Sequence, residues 1–599
     1  MAVAFWPVAA SHIVPLPKLA GVIVLAVIFL LFSKAPGLSK PLTSGDILLC
    51  SFAAFVGATL LRVAIAPIPQ LELWGLAARL NGAMVYLVLG IVLWAGRDQA
   101  MRNAPWMPVY ALSVAGLFTG AYAVLQYLGI DLISWNAPGV ISSLGNADVT
   151  SSFHALVTMS GLWTASDKSR PKAWRAVAAV SGAMGLVVVC YWAQREVVQG
   201  LLLLVLFLAA LVAVEVIRRG HRVVLGVVLG SLALMLPPLV YFAARVDRGV
   251  EDRVYMLGAG IRMWLAHPLI GVGMSRIQDF YDQFRDIGEL ARYGNVRPVD
   301  ELHSLPIQVL ATTGLLGGLP YLVFMAIATA LSAKILLSPK EEPRSVDRIL
   351  AGISLGWIIQ STFSPDSAVL GLTGMSALAV LVGRRLLGES AAQAAPAARR
   401  WSRWWRWWRW ASAAALLLLL AHRVSIDLRF IMVDSRLSRQ SPTTSPLRAA
   451  VVGDETTHDL IAVIKHYPSD PTVQTRVAVQ LGQNGYNDEA IDMLLDVVAH
   501  NPNDYQATAI LQGHYQSVKA IKEARHYVNR LTTLAPFDPV GWVQRADLAL
   551  VANDTADAKL ALDSAVTLAR RIPFPDSKFW VSVRRLRTVR DSLTRPIAR

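Results

Sequence analysis

Residues 47–65 read ILLCSFAAFVGATLLRVAI, a predominantly apolar run in which Arg62 is the one charged side chain. About 20 such residues cross the hydrocarbon core of a bilayer as an α-helix, and a helix satisfies its backbone hydrogen bonds internally, as lipid requires. Over 599 residues the chain is 54% hydrophobic and 16% charged, with a mean hydropathy of +0.46. A soluble protein of this composition would be unusual. The sequence therefore predicts that most of the chain lies in a membrane.

The same pattern recurs along the chain and predicts about twelve membrane helices. The ninth of these segments is too long for one simple crossing, and its Gly314, Gly317, Gly318 and Pro320 predict a break or a tilt. The predicted spans are Leu19–Phe32, Ile47–Ile65, Leu76–Ala95, Val109–Leu128, Val149–Ala165, Ala173–Tyr191, Val197–Ile217, Val223–Ala244, Leu305–Leu337, Ile349–Thr362, Ala368–Val382 and Ala411–Leu420 with its flanks.

Loop charge predicts the orientation of the bundle. Lysine and arginine cluster after the first, third, fifth and seventh predicted spans, as at Lys34, Arg97, Lys168 and Arg218, whereas the loops after the second and fourth spans nearly lack them. Basic loops face the cytoplasm, so residues 245–302 and everything after the twelfth span are predicted to lie outside a cytoplasmic (inner) membrane. The net charge of +15 is accordingly assigned to cytoplasmic loops, and no nucleic-acid partner is expected.

The tail has a different character and an internal period. Proline, aspartate and alanine each recur with a spacing of 34 residues, the length of the tetratricopeptide repeat, in which two helices stack on their neighbours. We predict a membrane domain over 1–432 and an extracytoplasmic tetratricopeptide-repeat domain over 433–599, so the fold class is all-α: a polytopic membrane bundle followed by a soluble helical repeat domain. The recurring residues are Pro468, Pro502 and Pro536; Asp470, Asp504 and Asp538; and Ala490, Ala524 and Ala558.

The outer segment at about 245–303 carries the residues that indicate a function. Residues 253–273 read RVYMLGAGIRMWLAHPLIGVG, and Leu302-His303-Ser304-Leu305 follow after a polar loop. The pattern predicts an amphipathic outer helix, 253–266, and a turn at Gly271 and Gly273. Arginines and a histidine at the mouth of a membrane bundle are costly near lipid, so they indicate a functional site.

These residues resemble a known family, the O-antigen ligase and polymerase superfamily. It includes lipopolysaccharide O-antigen ligases, O-antigen polymerases and bacterial protein O-oligosaccharyltransferases. The sequence departs from the family pattern where Gln194 replaces a serine, Asp148 an asparagine, and Thr312 or Thr313 an acidic residue. The resemblance is carried by Arg253, Arg262-Met-Trp, His267-Pro-Leu-Ile-Gly-Val-Gly, His303-Ser304, Gly314-Leu-Leu-Gly, Leu144-Gly145-Asn146, and Gln194-Arg195-Glu196 with Gly200.

The resemblance implies transfer of a glycan from undecaprenyl pyrophosphate to the hydroxyl of a glycan, lipid or protein acceptor. It implies that Arg253, with Arg195 and Arg262, binds the pyrophosphate, since a guanidinium binds phosphate oxygens in a fork. His303 would activate or orient the hydroxyl, because its pKa lies near working pH, and Asp300 or Glu301 could orient its ring. No carboxylates have magnesium spacing, so we expect no metal and no cofactor.

Two further functions stay open. A polymerase of the same superfamily would extend chains on their own carrier. A non-catalytic polysaccharide transporter or scaffold would move or hold glycan without cleaving it, but the mostly unbroken spans and the absence of similar halves in the sequence count against a transporter. The repeat tail offers a surface for an acceptor, an export partner or another protein, and mildly favours a ligase or a protein-directed transferase over a polymerase.

Overall fold

The computed structural model describes residues 15–32, 43–76, 79–95, 103–130, 140–194, 197, 199–218, 248–293, 299–338, 345–364, 367–385, 407–425, 471–483, 486–571 and 577–594. Within these residues the fold is all-α, as the sequence predicts. The helices of the membrane part are α1 (Pro15–Phe32), α2 (Ser44–Ala64), α3 (Pro69–Trp74), α4 (Ala83–Ala95), α5 (Met107–Tyr127), α6 (Ala147–Ser166), α7 (Lys172–Ala193), α8 (Gln199–Arg218), α9 (Arg248–Ala266), α10 (Ile277–Phe284), α11 (Ile287–Tyr293), α12 (Leu305–Leu336), α13 (Val346–Phe363), α14 (Ala368–Arg385) and α15 (407–425).

Helices occupy every predicted span that the structure describes, and the span Val223–Ala244 lies outside the described residues. By length and composition, five of the described helices can cross a membrane unaided: α2, α5, α7, α12 and α14. One boundary was predicted wrongly. The third span was predicted to begin at Leu76, but α4 begins at Ala83. The reason is a tight loop, in which Gly75 has φ +86° and leaves no room for a Cβ against the backbone of Asn81 and Gly82.

Helix α6 lies at the centre of the bundle and is buried almost throughout. It carries serine and threonine where a lipid-facing helix would carry leucine, and the hydroxyls of Thr158, Ser160 and Thr164 donate to its own backbone, as Thr158 does to the carbonyl of His154 at 2.7 Å. Small residues bring α6 and α7 into backbone contact, since a Cβ at Gly161 would lie 2.6 Å from the carbonyl oxygen of Ala178. Close packing through small residues is typical of membrane helices.

Helix α12 is kinked at Gly314, which has φ +60° and ψ −158°, so the predicted break is confirmed. The kink frees backbone groups, and the turn after α9 satisfies them. Leu315 N and Leu316 N donate to the carbonyls of Pro268 and Leu269 at 2.7 and 3.1 Å. In return, the carbonyls of Ala311 and Thr312 accept from the amides of residues 272 and 273, both at 2.9 Å.

The predicted glycine turn is also confirmed. Gly271 and Gly273 have φ of +67° and +109°, conformations that residues with a Cβ adopt only at a cost. A Cβ at Gly271 would overlap the backbone of Thr312 and Thr313. We call residues 267–304, between α9 and α12, the outer loop. The turn at Gly271 and Gly273 and the kink at Gly314 thus form a single junction, which joins the outer loop to the first part of α12.

Contacts between loops sort them into two ends of the bundle. At one end, Asp148 pairs with Arg253 at 3.4 Å, and Met274 N donates to Glu72 at 3.3 Å. At the other end, the guanidinium of Arg170 lies 4.5 Å from the ring centroid of Trp106. These are the same two groups of loops that the charge rule distinguishes, and we call the first the outer end.

Within the described residues, the tail contains three pairs of helices that recur with the predicted spacing, followed by one further helix: α16 (Pro471–Gln483), α17 (Asn487–His500), α18 (Tyr505–Ser517), α19 (Ile521–Leu534), α20 (Pro539–Val551), α21 (Thr555–Arg571) and then α22 (Ser577–Thr594). Successive first helices begin 34 residues apart, as do successive second helices. The three recurring alanines are buried in these pairs, and Asp504 and Asp538 cap α18 and α20. The assignment of these pairs to the tetratricopeptide family stays a prediction.

Candidate functional site

His303 lies at the outer end, two residues before α12 begins. Its φ of +53° is unusual for a residue with a Cβ and costs of order 1–3 kcal/mol. Such strain persists only where neighbouring contacts impose it, and it is concentrated at functional sites. Within the described part of the chain, the buried Nδ1 of His303 has no hydrogen-bond partner. An unsatisfied buried nitrogen of this kind calls for an explanation, and a bound molecule could supply the missing partner.

The surroundings of His303 favour the neutral form of its imidazole. Burial lowers the pKa of His303 below its ordinary value, and the positive charge of Arg253 lowers it further. Arg79 acts in the same direction, whereas Asp148 and Asp252 oppose it. A neutral imidazole can accept a proton or a hydrogen bond from a hydroxyl.

Arg253 is presented to the same place by helix α9. Its Nη2 lies 3.4 Å from Oδ2 of Asp148, and the two side chains are 31% and 17% exposed. Asp148 lies in the first turn of α6, where Asn146 caps the helix by accepting from Val149 N at 3.1 Å. Because Arg253 is partly exposed and this contact uses one of its nitrogens at long range, its fork can still bind an anion.

Arg79 was missed by the sequence analysis, which placed it inside a membrane span. It lies in the loop between α3 and α4, and its Nε and Nη2 donate to the two carboxylate oxygens of Asp300 at 2.8 and 3.2 Å. Its Nη1 lies 3.7 Å from Oε2 of Glu301, and Asn81 donates to the other oxygen of Glu301 at 2.8 Å. We call these four residues the Arg79 clamp. An arginine within an apparently apolar span was the signal that could have revealed it.

The clamp also changes the expected roles of the two carboxylates. The sequence offered Asp300 or Glu301 as a group that could orient the ring of His303, and in the structure the two side chains contact Arg79 and Asn81. Burial raises the pKa of Glu301 to about 7, although the charge of Arg79 opposes this shift. The carboxylates therefore fix the backbone that precedes His303.

The other predicted site residues have different positions. Arg262 is exposed on α9, and its Nε donates to the carbonyl of Phe284 at 2.7 Å. Arg195 lies outside the described residues. The ring of His267, which belongs to the motif that carries the resemblance, meets those of Phe280 and Phe284 edge-on, which fits a structural role.

A second polar network lies beneath the outer loop. Glu72 is fully buried and pairs with Arg62 at 3.2 Å, and burial raises its pKa to about 7. Arg276 is also buried, and it binds Asp279 at 3.0 Å and the tail residue Asn501 at 2.9 Å. This network joins the bundle, the outer loop and the tail. Because its charged groups are buried and already paired, it fits a structural role better than substrate binding.

The arrangement brings together two of the four predicted site residues, Arg253 and His303. It combines a partly exposed guanidinium with a strained, neutral imidazole at one end of a membrane bundle. Such a pair can stabilise a phosphate anion and accept the proton of a hydroxyl.

Comparison with known proteins gives a family match for part of the chain. Residues 155–322 match the sequence profile of the O-antigen ligase family. The matched part runs from α6 into α12 and contains Arg253, Arg262 and His303, whereas Arg79, Asp148 and the tail lie outside it. No curated protein matches the chain. The predicted resemblance to the O-antigen ligase superfamily is confirmed, and it supports a membrane glycosyltransferase of the ligase or polymerase type.

Proposed function

We propose that this protein transfers a glycan from undecaprenyl pyrophosphate to an acceptor hydroxyl on the outer side of the cytoplasmic membrane. The observation that carries the proposal is His303 in a strained conformation, with a buried and unpartnered Nδ1, and the partly exposed Arg253, whose charge acts on it. Outside the cytoplasm no nucleotide sugar is available, so the leaving group has to arrive attached to lipid. A cationic site at the rim of a membrane bundle suits a lipid-linked pyrophosphate.

The proposed reaction is a single displacement. The acceptor oxygen attacks the anomeric carbon of the glycan, and the bond from that carbon to the phosphate oxygen breaks. The hydroxyl proton passes to the imidazole of His303, and the bonding electron pair leaves with undecaprenyl pyrophosphate. Arg253 stabilises the negative charge that develops on the departing pyrophosphate. The protein then releases the proton and the lipid.

Asp148 gives Arg253 a resting partner. Without an anion, a bare guanidinium at this position would be left without a counter-charge. When a pyrophosphate arrives, its oxygens compete with Asp148 for the fork of Arg253, and bidentate binding favours the phosphate. Arg262 and Arg195 are proposed to contribute further contacts to the pyrophosphate.

A ligase, which moves a finished chain to a lipid or protein acceptor, is the form of this function that we favour. The support is the tail, which contacts the outer loop through Arg276 and Asn501 and so offers a helical surface to an acceptor at this end of the bundle. A polymerase of the same superfamily is the second candidate. Analysis of the glycans in a strain that lacks the gene would separate them, because free lipid-linked long chains indicate a ligase and single repeat units indicate a polymerase.

The site is tested with purified protein, lipid-linked glycan and acceptor. We expect His303→Ala and Arg253→Ala each to slow glycan transfer by about 10²–10⁴-fold. The matched control is Arg384→Ala, which removes an arginine of similar exposure (33%) from its partner Asp347 at the other end of the bundle. Full activity in both site variants would exclude the proposed site, provided that the control folds and transfers glycan normally.

A further inference from the structure

The loop between α3 and α4 contributes to the site although it precedes the segment that matches the family. We propose that Arg79 and Asn81 are positioning residues: by holding Asp300 and Glu301 they impose the backbone conformation that presents His303 to its substrate. This inference rests on the proposed function of His303, and it adds a part of the chain that neither the motifs nor the family match includes.

The backbone on both sides of His303 is held in place. His303 adopts φ +53°, and this conformation has to be imposed by its neighbours. On its N-terminal side, the Arg79 clamp fixes Asp300 by a bidentate fork and Glu301 by hydrogen bonding. Leu302 N donates to the side chain of Gln308 at 3.1 Å, and on the C-terminal side the helix α12 begins. His303 thus connects the residues that the Arg79 clamp holds with the start of α12. Because the backbone is held on both sides, the strained conformation occurs at His303.

The loop between α3 and α4, which carries Arg79 and Asn81, is held by close contacts of its own. Gly75 and Gly82 meet backbone to backbone, and Leu80 between them has φ +49°. Asn81 also accepts a hydrogen bond from Ser275 Oγ at 2.9 Å, which ties the loop to the turn that joins α12. Through Ser275 the clamp is therefore connected to the same junction as the kink, and its position does not depend on Arg79 alone.

The charge of Arg79 also affects His303. Arg79 acts on His303 from a distance and favours its neutral form, together with Arg253 and against Asp148 and Asp252. Asn81 carries no charge. Loss of Arg79 should therefore change both the position and the protonation of His303, whereas loss of Asn81 should change its position alone.

The experiment compares Arg79→Ala, Asn81→Ala and a double variant in which the two charges are exchanged, Arg79→Asp combined with Asp300→Arg. All are made in the full-length protein, and Arg79→Asp alone is the reference for the double variant. We expect each alanine variant to lower kcat by about 10–100-fold with little change in KM for the lipid-linked donor, since misplacement by about 1 Å costs this much. The swap should recover part of the loss relative to Arg79→Asp alone. The acid limb of the pH–rate profile should move to higher pH in Arg79→Ala and stay in place in Asn81→Ala.

Hydrogen exchange provides a readout that is independent of activity. Amides of residues 299–304 should exchange faster in Arg79→Ala and Asn81→Ala than in the wild type or in the control Arg384→Ala. Unchanged exchange and unchanged kcat in both alanine variants would overturn the inference. So would a raised KM with normal kcat in Arg79→Ala, which would make Arg79 a binding residue. If His303→Ala is inactive in the same assay, such failures leave the proposed function standing; full activity of His303→Ala would remove the proposed function itself.

Discussion

Replacing Gly271 with alanine tests the junction between the outer loop and α12. Gly271 has φ +67°, and a Cβ there would overlap the backbone of residues 312 and 313. A left-handed conformation costs an alanine about 1–2 kcal/mol. Relief of the overlap would also displace the turn and threaten the two hydrogen bonds that residues 272 and 273 donate, each worth about 0.5–1.5 kcal/mol net. We therefore expect Gly271→Ala to destabilise the protein by about 2–5 kcal/mol.

Gly129 provides the matched control for this prediction. It has φ +80°, but nothing lies within 4 Å of a Cβ built at this position. Gly129→Ala should therefore cost only the conformational part, about 1–2 kcal/mol. Thermal unfolding of both variants in the same detergent measures the difference. Equal losses of stability would refute the account of the junction, because its close backbone contact would then contribute nothing.

Three further predictions concern protonation and docking. Because burial and Arg253 lower the pKa of His303, the pH–rate profile of the wild type should have an acid limb due to this residue below pH 6.5, its ordinary value; a limb of His303 above that pH would contradict the assignment. Burial raises the pKa of Glu72 from 4.5 to about 7, so its contribution to stability is present at low pH and is lost as pH rises through this range. The Tm of the wild type should accordingly fall more between pH 5 and pH 8 than the Tm of Glu72→Gln. An equal change in Tm for the two proteins over this range would exclude this effect of Glu72. Asn501→Leu removes the acceptor that the tail provides for buried Arg276 and should speed amide exchange in residues 276–284, whereas unchanged exchange would show that the tail does not hold the outer loop.

Membrane helices were the part of the fold that the sequence predicted best. Lipid leaves a spanning segment little choice but a helix, so apolar length alone located Ile47–Ile65 and the other described spans. The rule failed at 76–82, where leucine and alanine read as the start of a span. There the close contact of Gly75 with Gly82 makes a loop, and apolar composition does not register such a contact.

The site was predicted in part, for a related reason. Arg253 and His303 lie in motifs that can be recognised locally. Their partners are distant in sequence: Asp148 is 105 residues from Arg253, and Arg79 is 221 residues from Asp300. Pairings at such separations depend on how the helices pack, and no local pattern encodes them. The same holds for the tail, whose period predicted paired helices but not the contact of Asn501 with the outer loop.

In the proposed function, fixed cations at the outer end of the bundle hold a pyrophosphate while its glycan moves to a hydroxyl. The most direct measurement is the amount of undecaprenyl pyrophosphate released by purified protein from lipid-linked glycan, with and without acceptor. The account predicts one lipid released for each glycan transferred, dependence on acceptor, and loss of both products together in Arg253→Ala. Movement of the intact donor across a vesicle membrane with no release of the lipid pyrophosphate would contradict it.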